Sequence, residues 1–268
     1  MISLVDDLPV YYEAVGAGRP LVFLPGWGNA NGEAQEVHEP VFAGHPGWRR
    51  IYLDPPGTGR TPARDWIKDQ DGMLAVIARV IGDVVGDERY AVAGTSAGGL
   101  HARGLVHRDP AQVLGLLLRV PGIVVDRAKR TLPEYAPWIA DERFATDEDP
   151  RPLVQTAEYL EAHRDKQKRF YLPAEEQADL EFLGKIQRDG YALSFDPATR
   201  LEAPTLIVTG RQDTMTGYAD AWPLLDDYPR ATYAVLDRSD HDLPVQNHAL
   251  YRALVDDWLT RVEEFAAA

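Results

Sequence analysis

The sequence predicts an α/β fold, a mostly parallel sheet flanked by helices. Three observations point there. Unbroken apolar runs at 20–24, 113–120 and 205–209 read as strands buried on both faces. Over 71–85 the apolar residues Met73, Val76, Ile77, Val80, Ile81 and Val84 recur at spacings of three and four, as on a helix with one face on a sheet. The run at 90–95 ends in Gly94-Thr95-Ser96-Ala97-Gly98 and passes into an amphipathic segment at 100–107. That is a strand, a tight turn and a helix, with Ser96 at the apex.

Composition narrows the class. A length of 268 residues suits one α/β domain with an insertion, or at most two domains. With 45% apolar residues the chain can build a sizeable core. A formal net charge of −14 favours solubility and disfavours DNA, RNA and anionic lipid as partners. Cysteine is absent, so disulfides, thiolate catalysis and Cys-based zinc sites are excluded. The same absence fits a reducing, cytoplasmic setting. Residues 1–7 carry neither a basic region nor a long apolar run, so no signal peptide is expected. The stretch 113–125 is interrupted by Arg119 and Pro121 and is too short to span a bilayer, so no membrane role is expected.

Taken in order, residues 2–15 read as an antiparallel hairpin turning at Asp6-Asp7. The strand at 20–24 ends in Pro25-Gly26-Trp27-Gly28. Residues 29–47 are polar, with room for one short helix, and a strand follows at 48–54. Next comes Pro55-Pro56-Gly57-Thr58-Gly59-Arg60, which reads as a structural turn; a phosphate loop would need a third glycine and a helix start. After the helix at 71–85, the strand at 90–95 and the helix ending near Asp109-Pro110, a further strand is expected at 113–120. His101 and His107 on the intervening helix read as packing or surface residues.

The rhythm then changes. Residues 122–200 hold charge runs at 126–130 and 164–169 and helix-like segments at about 151–169 and 174–189, with no apolar strand. Tyr135, Trp138, Phe144, Tyr159, Phe170, Tyr171 and Phe182 are spread through them, most as a small core of their own and one or two expected to face the functional site. The α/β pattern resumes at 205–209. A helix is expected over 218–227, a strand over 231–236 and a last helix over 247–265, followed by a frayed Ala-rich end. This predicts a core made of 1–121 and 201–268 with a helical insertion at 122–200.

A serine hydroxyl becomes a useful nucleophile when held clear of the backbone and beside a base. A sharp strand-to-helix turn does the first but strains the serine and crowds its neighbours, so Gly94 and Gly98 suit it. The new helix aims its free N–H groups, Ala97's among them, at any negative charge forming beside Ser96. In parallel sheets the active groups sit in loops at the carboxyl ends of strands. Three such loops carry Ser96, Asp213 and His241. His241 would take the Ser96 proton, and Asp213 would hold the imidazole's tautomer. Each has a plainer reading as a turn or loop residue. Asp220 and His248 compete, though both fall in expected helices. Asp240 and Asp242 would raise the basicity of His241 if they lay close, or else face water. His38, His45 and His163 show no partner pattern.

The Gly-x-Ser-x-Gly elbow and the order Ser, acid, His resemble the α/β-hydrolase superfamily, and the resemblance covers nearly the whole chain. It implies the α/β-hydrolase fold, a helical cap at 122–200 and a cofactor-free, metal-free serine hydrolase. Trp27 then becomes the second oxyanion donor beside Ala97, because the loop after the matching strand supplies one. Pro25 departs from the histidine usual there. The turn after the strand at 48–54 matches the family's Asp-x-Pro-Gly-x-Gly pattern. A serine at the elbow argues against dehalogenases and epoxide hydrolases, which need a carboxylate. A small-molecule carboxylic ester is the leading substrate, with C–C cleavage and aminopeptidase-type cleavage open. A non-enzymatic ligand receptor is the reading from another class.

Overall fold

This computed structural model describes residues 1–134, 136, 139–140, 153–154 and 157–268. β1 (Ile2–Val5) and β2 (Leu8–Gly16) form the hairpin, Ile2 opposite Tyr11, with Asp6 at the turn in the left-handed region (φ 50°). β3 (Arg19–Leu24), β4 (Trp48–Leu53), β5 (Tyr90–Thr95) and β6 (Val113–Arg119) follow. β7 (Ile139–Ala140) and β8 (Leu153–Val154) form a separate two-stranded ribbon. β9 (Thr205–Gly210) and β10 (Ala231–Leu236) complete an eight-stranded sheet in the order β1-β2-β4-β3-β5-β6-β9-β10. The β1/β2 and β2/β4 pairs are antiparallel, and every pair from β4 to β10 is parallel.

Because side chains alternate across a strand, the sheet feeds two cores. Val22 and Leu24 of β3 pack with Val92 and Leu116 beneath α2 (Gln70–Val85) and α3 (Ala97–Arg108). Leu21 and Phe23 pack on the other face with α1 (Gly32–His38) and the long C-terminal helix. In α2, Met73, Val76, Ile77 and Val80 are buried as the spacing predicts. Each such side chain is worth about 1.5–3 kcal/mol when fully buried. Asp69 caps that helix by accepting from the Gly72 N–H (2.9 Å), and Gly86 ends it at φ 67°.

Between β6 and β9 the described residues add no strand to the main sheet. They form α4 (Ala157–Lys166), a π-helical turn over Gln167–Tyr171, α5 (Leu172–Gln177) and α6 (Leu180–Asp189). The helix expected from about 151 begins at Ala157. The β7/β8 ribbon departs from the expectation of no strand, since two-residue strands are too short to show a periodicity. Tyr135, Trp138 and Phe144 lie outside the described residues, and so does the side chain of Tyr159.

Two further elements differ from expectation. The helix over 218–227 is split into a 3₁₀ turn at Ala219–Ala221 and α7 (Leu224–Asp227). Pro223 lacks the N–H that would continue the first turn, and its ring clashes with the preceding one. The last helix is preceded by α8 (Leu243–Gln246), and α9 (His248–Ala267) runs through the Ala-rich tail. Alanine has the highest helix propensity, so the tail extends the helix. Among the described residues no helix is long and apolar enough to cross a membrane.

Candidate active site

Ser96 sits between β5 and α3 with φ 52° and ψ −114°, a left-handed conformation that β-carbon-bearing residues rarely adopt. A Cβ on Gly94 would lie 2.3 Å from the Gly98 carbonyl oxygen, and one on Gly98 would lie 2.2 Å from the Leu24 carbonyl oxygen. Only glycine fits either place. The strained turn is held by hydrogen bonds from the Ser96 N–H to Arg119 O (3.0 Å) and from the Gly99 and Gly122 N–H groups to Ser96 O (3.0 and 3.1 Å).

Ser96 opens onto a cavity of about 1520 Å³, and Trp27 and Ala97 line the same cavity. Neither the Trp27 nor the Ala97 N–H is used by another backbone group among the described residues. Gly26 brings the Trp27 loop close to Ser96: a Cβ there would lie 3.6 Å from the Ser96 Cβ.

Asp213 follows β9 in a loop and is fully buried, at 0% exposure. Its Oδ1 accepts from the Met215 and Thr216 N–H groups (2.8 and 3.0 Å). Its Oδ2 accepts from the Thr216 hydroxyl (2.8 Å) and from His241 Nδ1 (2.9 Å). Burial alone would raise the carboxyl pKa. The His241 hydrogen bond and charge, with the Thr216 bonds, outweigh it and hold Asp213 below the usual carboxylate value. With Nδ1 donating to Asp213, a neutral His241 keeps its lone pair on Nε2. Among the described residues the hydrogen bonds of His241 run to Asp213 and Thr216 and not to the Ser96 hydroxyl. Catalytic pairs of this kind often close only on substrate.

The competing residues are placed elsewhere. Asp220 accepts from the Thr131 N–H (2.9 Å) in its 3₁₀ turn, and His248 opens α9 at the surface. His101 is buried against Gln70 (2.7 Å), and burial lowers its pKa to about 4. His107 is stacked on Phe195 and bonded to Thr199 (2.7 Å). His38 lies between Ala34 O and the Tyr251 hydroxyl, and His45 between Asp256 and Glu263. Among the described residues no group of three or more His, Asp or Glu side chains is arranged to hold a metal ion.

Sequence reasoning missed two features. One is Thr216, which braces Asp213. The other is a buried charge cluster beside His241. Arg119 Nη2 meets Glu33 Oε2 at 2.7 Å, Lys166 Nζ meets Glu33 Oε1 at 2.8 Å, and Lys166 also pairs with Asp242 Oδ1. His163 Nδ1 (3.3 Å) and the Tyr171 hydroxyl (3.2 Å) complete the shell of Asp242. Asp242 therefore serves Lys166 instead of tuning His241 or facing water. Asp240 accepts from the Asp242 N–H (2.7 Å), and burial raises its pKa. A guanidinium inside an apolar strand needs a buried partner, so Arg119 was the available signal. Nothing local pointed to Glu33 or Lys166.

The elbow, the strand order and the loops at the strand ends define an α/β hydrolase. A family model described as the alpha/beta hydrolase fold matches residues 19–247, and the chain belongs to that family. Among curated proteins it is similar to the pimeloyl-[acyl-carrier protein] methyl ester esterase of Legionella pneumophila. The two are 25% identical over 270 residues, covering 96% of this chain and 98% of that one. Among solved structures it resembles an alpha/beta superfamily hydrolase from Oenococcus oeni (TM-score 0.81, 24% identity, 95% of this chain and 96% of that one). It also resembles an esterase from Exiguobacterium antarcticum (TM-score 0.69, 19% identity, 97% and 98%).

Proposed function

We propose that this chain is a serine hydrolase of small-molecule carboxylic esters, with Ser96, His241 and Asp213 as its triad. The observation that carries the reading is the buried Asp213 carboxylate 2.9 Å from His241 Nδ1, together with the strained Ser96 on the cavity. Ser96 Oγ attacks the ester carbonyl carbon and passes its proton to His241 Nε2. The carbonyl oxygen becomes an oxyanion held by the Trp27 and Ala97 N–H groups. Collapse of the intermediate expels the alcohol, which takes the proton from His241, and water then repeats the sequence on the acyl-enzyme. Asp213 stays ionised and stabilises the imidazolium. The similarity to a methyl ester esterase supports an ester as substrate. The stretch 122–200 acts as the cap that excludes water from the cavity.

A fluorophosphonate tests this directly. It should label the protein once, at Ser96, at neutral pH, and His241→Ala should abolish labelling while His248→Ala preserves it. Sustained turnover across a panel of esters, with Ser96→Ala inactive, separates an enzyme from a ligand receptor. Amides and a C–C substrate belong in the same panel. Labelling that survives His241→Ala would sink the reading.

A further inference from the structure

Arg130 lines the cavity that holds Ser96. Its Nε donates to Val124 O (2.7 Å), its Nη2 to Val125 O (3.1 Å) and its Nη1 to Met215 O (2.6 Å). These bonds fix the guanidinium in place beside the turn that carries Asp213. All three acceptors are neutral carbonyls, so they orient the charge without cancelling it. Among the described residues no carboxylate pairs with Arg130. A guanidinium has five N–H donors, and the three bonds leave some of them free.

The carboxylates around the cavity are mostly engaged elsewhere. Asp69 and Asp179 cap helices through the Gly72 and Phe182 N–H groups (2.9 and 3.0 Å), and Asp71 accepts from the Ser194 N–H (3.1 Å). Glu181 pairs with Lys185 (2.8 Å), and Asp126 with Lys129 (3.4 Å). Asp65 and Asp189 line the cavity too, and among the described residues neither they nor the five carboxylates above pair with Arg130. Tyr191 supplies a second donor. It lines the same cavity, its ring meets Trp27 edge-on at 4.9 Å, and its hydroxyl has no hydrogen-bond partner among the described residues. Arg130 and Tyr191 line the same cavity; burial pushes the Tyr191 phenol up to about 12, and the Arg130 charge works against that rise.

We infer that Arg130 and Tyr191 form an anion subsite for a carboxylate, which makes the preferred substrate a half-ester of a dicarboxylic acid. A planar carboxylate matches the fork of a guanidinium, and Tyr191 adds a neutral donor. The inference rests on the Ser96 hydrolase reading for its substrate but not for its binding site.

The experiment compares monomethyl and dimethyl esters of straight-chain dicarboxylic acids, matched in length, with the full chain. The half-ester of the best length should have a kcat/KM about tenfold or more above its dimethyl ester, as a charge-assisted contact implies. Added salt should erode that ratio, and Arg130→Met should abolish it while Arg130→Lys keeps part of it. Binding of adipate, measured by calorimetry, is the second arm. Adipate should bind wild type and Ser96→Ala, more weakly with added salt, and its diamide should not bind. Dimethyl esters turned over as fast as half-esters at every length, or adipate binding no better than its diamide, would overturn the subsite. Adipate binding without turnover of any ester would leave the subsite standing and remove the hydrolase reading.

Discussion

Replacing Lys166 by methionine removes the ammonium that joins Glu33 to Asp242. The Lys166 side chain is only 7% exposed, and its partners are 8% and 13% exposed. Deleting one member of a buried ion pair strands the other charge and costs about 3–5 kcal/mol. Glu33 keeps Arg119 at 2.7 Å, and Asp242 keeps His163 and Tyr171, so the low end, about 3 kcal/mol, is expected. Urea unfolding at constant m-value measures it. The pH dependence adds a sign. Burial alone would raise the Glu33 carboxyl, but Arg119 and Lys166 outweigh it and hold the group far below the ordinary carboxylate range. A depressed folded pKa contributes stability that is present above the unfolded value, near 4.3, and lost as pH falls toward the folded value. Lys166→Met moves the Glu33 pKa back up, so the variant has less of this stability to lose on acidification. The gap between wild type and variant should therefore be widest near pH 7 and shrink below about pH 4. A loss under about 1 kcal/mol, or a gap that is as wide at about pH 3 as at pH 7, would refute the reasoning.

Two further outcomes are expected. Asp213→Asn should leave the fold intact and lower kcat about 10⁴-fold, because the imidazole loses its tautomer control, while Asp220→Asn stays near wild type; steady-state ester kinetics on the two variants check this, and the reverse pattern would move the acid to Asp220. Gly98→Ala places a Cβ 2.2 Å from the Leu24 carbonyl oxygen, a backbone clash that cannot relax by rotamer change, so it should cost more than about 2 kcal/mol by thermal or urea unfolding.

Much of this protein was legible in its residues because the relevant physics is local. The spacing of Met73, Val76, Ile77 and Val80 determines which face of α2 can be buried, and unbroken apolar runs mark strands covered on both sides. Gly94, Ser96 and Gly98 announce the elbow because the steric demand lies within a few residues. The order of the loops singled out Asp213 and His241, since strand ends in a parallel sheet converge on one edge. Where local signals failed, the causes were equally physical. Pro223 broke the helix expected over 218–227, and two-residue strands carry no period to detect. The tertiary structure alone decided which distant charges meet. Glu33 and Arg119 are 86 positions apart, and Lys166 and Asp242 are 76 apart, so no spacing rule connects them. Their pairing follows from packing α1, α4 and the loop before α8 into one small volume, where a buried charge must find a partner whatever its place in the chain.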